Sequence, residues 1–168
     1  MEVQELMTKE VKICGRGSNL AEVASILWEG DCGALPVVDD DNKVVGIISD
    51  RDICFAVATK GRLAAEITVG ELTGNRPLYT CSPEDDVQNA LSTMQRQQVR
   101  RIPVVNSNGR IEGILSISDV VLAASADTRG LKQGVTNTEA ISTLKGICEQ
   151  RRSSQSAAAA SSGGNAQA

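Results

Sequence analysis

A mixed α/β fold of the α+β kind, built from two copies of one unit, is predicted by three observations. The chain repeats itself at an offset of 67 residues, so that Pro36, Gly46 and Asp52 return as Pro103, Gly113 and Asp119. Each copy carries an apolar stripe at helical spacing, then two short β-branched runs around a polar turn. The 168 residues are 41% hydrophobic and 2% aromatic, which fits one or two small globular bodies with aliphatic cores.

The elements follow in chain order. Val11 to Cys14 reads as a short leading strand, and Leu20, Val23, Ala24 and Leu27 share one helix face at i, i+3, i+4 and i+7. Ala34 to Val38 and Val44 to Ile48 read as strands flanking the polar turn Asp39 to Lys43, and Ser49-Asp50-Arg51-Asp52 opens a second helix. The second copy has the run Leu78 to Cys81 and the stripe Val87, Ala90, Leu91 and Met94. A strand pair follows around Asn108-Gly109, a favoured hairpin dipeptide, before Ser116-Ile117-Ser118-Asp119. Ser82-Pro83-Glu84-Asp85 offers a cap with proline at the first helical position.

The units span 3–61 and 70–127, joined by 62–69. Units of about sixty residues bury little alone, so the two are expected to pack as one body. Apolar residues at 140, 141, 144, 147 and 148 predict a helical extension over 128–152, weakened at Gly146. Residues 153–168 hold only Ser, Ala, Gln, Gly and Asn, a composition that predicts a disordered tail.

Composition narrows the chemistry. The chain has no histidine, which removes the commonest general base, Ser-His and Cys-His nucleophile pairs and histidine metal sites. A net charge of -4 gives no overall attraction to nucleic acid or anionic lipid. Five cysteines without a C-x-x-C pair suggest neither a zinc ribbon nor a disulfide framework, and reduced, mostly buried thiols are expected. No stretch resembles a signal peptide or a membrane span, so a cytoplasmic protein is expected. The expectation is a protein that is not an enzyme, with no metal, cofactor, nucleic-acid or membrane partner.

The motif Ser-x-x-Asp at Ser49–Asp52 and Ser116–Asp119 has two physical readings. As a capping box, the serine accepts a first-turn N–H while the aspartate reaches back to the serine N–H. As a ligand site, the strand-to-helix turn offers N–H groups and a positive helix end to phosphate, while the carboxylate accepts ribose hydroxyls. Gly15-Arg16-Gly17-Ser18-Asn19-Leu20 lacks the third glycine of a dinucleotide fingerprint, so its glycines are assigned to a turn.

With Gly33–Val38, Gly46–Ile53 and Val99–Val105, the repeat over residues 3 to 127 resembles a stand-alone pair of CBS domains, named after cystathionine β-synthase. Among such pairs it is most similar to small bacterial proteins of the hypoxic-response type. Serine stands at 49 and 116 where threonine is common, which keeps the hydroxyl. The resemblance implies two β-α-β-β-α units packed about a pseudo-two-fold axis, two clefts for adenosine-containing ligands, and a homodimer.

Carried over residue by residue, it implies that Asp52 and Asp119 hold ribose hydroxyls and that Ser49 and Ser116 lie beside phosphates. Backbone at Ala34, Leu35, Ile102 and Pro103 lines the adenine, and Pro36 is counted with the ligand-binding residues. The copies differ in charge, with Arg100-Arg101 opposite Gly33-Ala34 and Arg51 opposite Ser118. Two unequal sites are therefore expected, with Arg100, Arg101 and Arg51 as candidates for a phosphate clamp, or else solvated or paired with acids at a dimer face. The leading expectation is a regulatory module sensing AMP, ADP or ATP, with S-adenosylmethionine and NADH open. The alternative is a scaffold with empty clefts acting on a protein partner, for which Trp28 is a candidate anchor. A redox role for Cys14 or Cys32 requires an exposed thiol of lowered pKa.

Overall fold

The stripes form helices because polar side chains start them where the apolar spacing begins. In the computed structural model, which describes residues 1–74, 76–124 and 134–160, helix α1 (Leu20–Glu29) is capped by Asn19, whose side chain accepts the N–H groups of Ala21 and Glu22. Strands β1 (Cys14–Gly15), β2 (Ala34–Val38) and β3 (Val44–Ser49) form one sheet, β1 parallel and β3 antiparallel to β2, and helix α2 (Asp50–Lys60) follows. After the short helix α3 (Val69–Thr73), the second copy gives α4 (Val87–Gln97), the antiparallel hairpin β4 (Arg101–Val105) with β5 (Ile111–Ser116), and α5 (Ile117–Ala123). Helix α6 (Asn137–Ala160) closes the described chain. The fold is α+β, as expected.

Three details differ from the sequence reading. The cap of α4 is Asp86, whose carboxylate accepts the Gln88 N–H at 2.9 Å. Residues 82–85 instead close their own turn, with Ser82 N–H donating to Asp85 Oδ2 at 2.8 Å, so Pro83 precedes the helix. The leading strands are reduced to Cys14–Gly15 and, in the second copy, to one parallel bridge between Cys81 and Val104, although Cys81 still exchanges N–H and C=O bonds with that strand. Finally, α6 runs past Arg152 to Ala160, into the stretch expected as a tail and ending on four alanines; residues 161–168 of that tail, 128–133 of the extension and 125–127 of the second unit lie outside the described residues.

The two copies are tied by crossed leaders. Val3 N–H donates to Asp85 O, Gln4 N–H to Pro83 O and Val87 N–H to Met1 O; in the other copy Val69 N–H donates to Ser18 O, Gly70 N–H to Arg16 O and Leu20 N–H to Ile67 O. Each leader is thus bonded to the helix start of the other sequence repeat. Val3 is fully buried in the second core with Val87, Met94, Ile102 and Leu115, whereas Ile67 and Val69 are buried in the first with Leu20, Leu35 and Ile48. The packing units therefore cut across boundaries drawn at 61 and 70. A signal for this stands in the sequence: Val3-x-Glu5-Leu6 returns as Val69-x-Glu71-Leu72, at an offset of 66 rather than 67.

A pseudo-two-fold axis follows from the bridge between Lys43 and Arg110, which are each other's equivalents at the repeat offset. The crossing needs space at the strand glycines. A Cβ at Gly113 would lie 2.6 Å from Met7 Sδ and 2.9 Å from the Thr8 carbonyl oxygen, and one at Gly46 would lie 3.1 Å from Thr73 Cβ.

Helix α6 breaks the symmetry. Its Ala140 and Ile147 join the second core, while Ile141 and Cys148, expected on the same stripe, face outward. Leu91 of α4 is consequently buried where its equivalent on α1, Ala24, is exposed. Gly146 lies directly against Gln95, and any side chain there would overlap it, so the glycine that weakens the helix permits the contact. Among the described residues no helix is long and apolar enough to cross a membrane.

Gly113→Ala must move the leader backbone and is expected to cost about 1–3 kcal/mol in urea unfolding. Gly46→Ala meets Thr73 Cβ less closely, at 3.1 Å, and is expected to cost less, within about 1 kcal/mol of the unaltered protein. The reverse order of the two effects would show that the crossing at Gly113 is not close-packed.

Candidate functional site

Two clefts lie on opposite sides of the pseudo-axis, built from equivalent positions. The first, of about 740 Å³, has Ser49 and Asp52 on one wall and Gln98, Arg100 and Arg101 on the other. The second, of about 360 Å³, sets Ser116 and Asp119 against Asp31, Gly33 and Ala34. Ala34 and Arg101, equivalents themselves, line both.

The Ser-x-x-Asp motif forms a capping box in both copies. Ser49 N–H and its hydroxyl donate to Asp52 Oδ2 at 2.9 and 2.6 Å, and Asp52 N–H donates to Ser49 Oγ at 3.3 Å. Ser116 and Asp119 repeat this at 2.7, 2.6 and 3.3 Å. The box consumes only Oδ2, leaving Oδ1 directed elsewhere. Oδ1 of Asp52 accepts from the Arg76 guanidinium, while Oδ1 of Asp119 faces the Thr8 hydroxyl at 3.4 Å. The two readings of the motif are therefore geometrically compatible.

Burial taken alone would raise the Asp52 pKa, but hydrogen bonds from Ser49 and Arg76 and the charge of Arg76 outweigh it, and the carboxyl is held below its ordinary 3.8. A lowered folded-state pKa contributes stability that is present above the unfolded value and lost as pH falls through the folded one.

The structure gathers Ala34, Ser49, Arg51, Asp52, Arg100 and Arg101 on the first cleft, and Ala34, Leu35, Arg101, Ser116 and Asp119 on the second. Pro36, Ile102 and Pro103 are buried inside their strands and are not on either wall. The carbonyls of the two prolines face the parallel segment: Pro103 O accepts the Cys81 N–H, and Pro36 O lies 4.0 Å from Cys14 Sγ. Among the described residues, Arg51, Arg100 and Arg101 form no ion pair; the Arg51 guanidinium stacks 5.3 Å from the Phe55 ring centre.

Sequence reasoning missed Arg76 and Tyr79 on the first cleft and Thr8 and Lys12 on the second. Tyr79 and Lys12 are equivalents on the leading segments, so the repeat offset pointed to both. Arg76 carries no such signal, because it stands where the offset changes from 66 to 67, opposite Glu10 or Lys9, neither of which is an arginine.

Neither cysteine considered for redox chemistry has gained support. Burial pushes the Cys14 thiol up to about 11, against thiolate formation. Its equivalent, Cys81, is pushed up to about 12 by burial and by the nearby Asp85 charge. Cys32 is half-buried beside the second cleft. Among the described residues no cluster of three or more His, Cys, Asp or Glu forms a metal-binding group.

Comparison with known proteins adds three findings. The sequence model of the CBS domain matches residues 3–59 and 69–126. Hypoxic response protein 1 of Mycobacterium tuberculosis is 32% identical over 117 residues, which are 70% of this chain and 80% of that protein. Two solved structures share the fold. The CBS domain pair of protein MJ0100, in complex with 5-methylthioadenosine and S-adenosyl-L-methionine, has a TM-score of 0.64 at 27% identity, covering 73% of this chain and 94% of that one. The CBS domain protein PAE2072 from Pyrobaculum aerophilum, complexed with AMP, has a TM-score of 0.63 at 28% identity, covering 71% and 90%.

Ser49→Ala removes the cap and is expected to lower stability by about 0.5–2 kcal/mol in denaturant unfolding. A carboxyl NMR titration should then show Asp52 moving up toward its ordinary value. Unchanged stability and titration would mean that the box holds nothing.

Proposed function

Because the chain belongs to the CBS-domain family, we propose that it is a non-catalytic regulatory module binding adenosine-bearing ligands, foremost AMP, ADP or ATP, in its two clefts. The observation that carries this reading is the spare carboxylate oxygen of Asp52 and Asp119 beside a helix start, in two equivalent clefts. A ribose diol donates to such an oxygen, and phosphate suits the arginines of the first cleft. The bound AMP of PAE2072 and the adenosyl ligands of MJ0100 support the same chemistry. The five free cysteines suit a reducing compartment, and we assign the protein to the cytoplasm. A sensor also requires that ligand favour one conformation or assembly over another, since equal affinity shifts nothing.

The second copy of the chain is the partner we assign to the groove between α1 and α2. Trp28 is 87% exposed there, beside Ala24, Leu27 and Ile53. In the other repeat, α6 lies against the equivalent helix at Gln95. This groove pairing with its own counterpart on the second copy would be isologous and would close at a dimer. Light scattering on Trp28→Glu should show a smaller oligomer than the unaltered protein, and an equal mass for both would remove this interface.

Thermal unfolding with AMP, ATP, S-adenosylmethionine and NADH tests the ligand reading. Ligand at a hundredfold over its Kd adds about 2.7 kcal/mol, a rise in Tm of roughly 5–10 °C at this size. Asp52→Ala or Asp119→Ala should abolish the rise of the ligand held in its cleft. No rise with any of the four would turn the assignment to a scaffold with empty clefts.

A further inference from the structure

The two spare oxygens differ in what already occupies them. Asp119 Oδ1 meets a neutral hydroxyl at 3.4 Å, the outer limit of a hydrogen bond, which a ribose hydroxyl can replace at little cost. Asp52 Oδ1 is held by a guanidinium. Any ligand whose ribose takes that oxygen must release Arg76 into a cleft that already contains Arg51, Arg100 and Arg101, against Asp50 and Asp52. A released guanidinium facing three others is unfavourable unless the ligand brings negative charge to replace the carboxylate it leaves. The second cleft has the opposite balance, with Lys12 and Arg101 against Glu10, Asp31 and Asp119.

We propose that Arg76 is a latch that restricts the first cleft to phosphate-bearing adenosine ligands, and that the second cleft takes adenosine ligands with an uncharged or cationic 5′ group. This rests on the adenosine reading of the clefts and assigns a ligand class to each. The latch works by exchange. Arg76 leaves Asp52 Oδ1 as the ribose arrives, and its guanidinium turns to the phosphate oxygens, which it matches as a planar fork. The side chain has the freedom for this, being 57% exposed while Asp52 is 18% exposed. A neutral nucleoside breaks the same ion pair and offers nothing in return. Arg76 is thereby a specificity-determining residue; it stands where the repeat offset changes from 66 to 67, opposite Glu10 or Lys9, and of these only the acidic Glu10 lines the second cleft, so among the described residues Asp119 has no guanidinium latch.

The test is calorimetric titration with adenosine, ATP and S-adenosylmethionine of the full chain carrying Asp119→Asn, which leaves the first cleft in use, and of the same chain with Arg76→Gln or Arg76→Lys added. The expected result is ATP binding at least tenfold tighter than adenosine or S-adenosylmethionine. Arg76→Gln should shrink that ratio by tenfold or more, by strengthening adenosine and weakening ATP together, and Arg76→Lys should retain most of it. A merely structural role would weaken both ligands alike, so an unchanged ratio in Arg76→Gln overturns the latch while leaving adenosine binding in place. In the complementary chain carrying Asp52→Asn, S-adenosylmethionine or adenosine should bind at least as tightly as ATP, and tighter ATP binding there overturns the assignment of the second cleft. If the unaltered protein binds none of the three, the adenosine reading and the latch fall together.

Discussion

The exchange of leaders between the repeats is the constraint on which the rest of the molecule depends. Neither repeat completes its core from its own sequence unit, since Val3 fills the second core and Ile67 and Val69 fill the first. Each crossing is fixed by three main-chain hydrogen bonds at equivalent positions and is admitted by a strand glycine, where a methyl group would collide at Gly113 and be crowded at Gly46. Main-chain bonds leave little freedom for slippage, because a shifted leader would orphan buried donors as well as expose its valine. The joint body that short repeats require is thus produced by interdigitation rather than by two finished surfaces meeting.

The clefts are a consequence of that geometry. Crossing carries Thr8 onto the β5 side of the second repeat, where Thr8 and Ile114 exchange main-chain bonds, and brings Thr73 and Arg76 to the β3 side of the first. Each cleft therefore combines a strand-to-helix turn from one repeat, a crossing leader, and the helix-to-strand corner of the other repeat. A ligand spanning such a cleft touches segments from both cores, which is the arrangement through which binding energy can favour one relation of the two repeats over another. The capping box serves here as a support: by holding Oδ2 of each aspartate it fixes the orientation in which Oδ1 faces the cleft.

Much of this was legible in the sequence, for identifiable reasons. The repeat offset, the helical stripes and the Asn108-Gly109 turn are local or periodic signals, and they located α1, α4 and both hairpins. The equivalence of the two Ser-x-x-Asp motifs pointed to two sites, and the Arg100-Arg101 pair to their inequality. What escaped depends on long-range placement. The leader repeat was hidden by its one-residue difference in offset, Arg76 stands where that offset changes and aligns with no arginine, and the cap at Asp86 was obscured by a proline that belongs to the preceding turn. Main chain at Ile102 and Pro103 was assigned to the adenine by resemblance, and the side chains of these residues are buried.

The positions at which the two repeats agree and differ have a common physical origin. Gly46 and Gly113, Ser49 and Ser116, and Asp52 and Asp119 are identical because each meets the other repeat, or its own helix start, in the same geometry. Other positions facing a cleft or the outside carry no such requirement, and there the copies have diverged: Gly33 against Arg100, Ala34 against Arg101, Trp28 against Gln95. The divergence is not independent from site to site. Gly33 leaves room for the Arg101 guanidinium, which a Cβ at that position would approach to 3.1 Å, so the loss of a side chain in one repeat accommodates the gain of charge in the other. Gln95, unlike the bulkier Trp28, accepts α6 at Gly146, and the covered face leaves its counterpart on α1 as the open one. A duplicated frame whose interlocked positions resist change confines variation to the cleft walls and the outer helices, and those are the surfaces on which ligand choice and association depend.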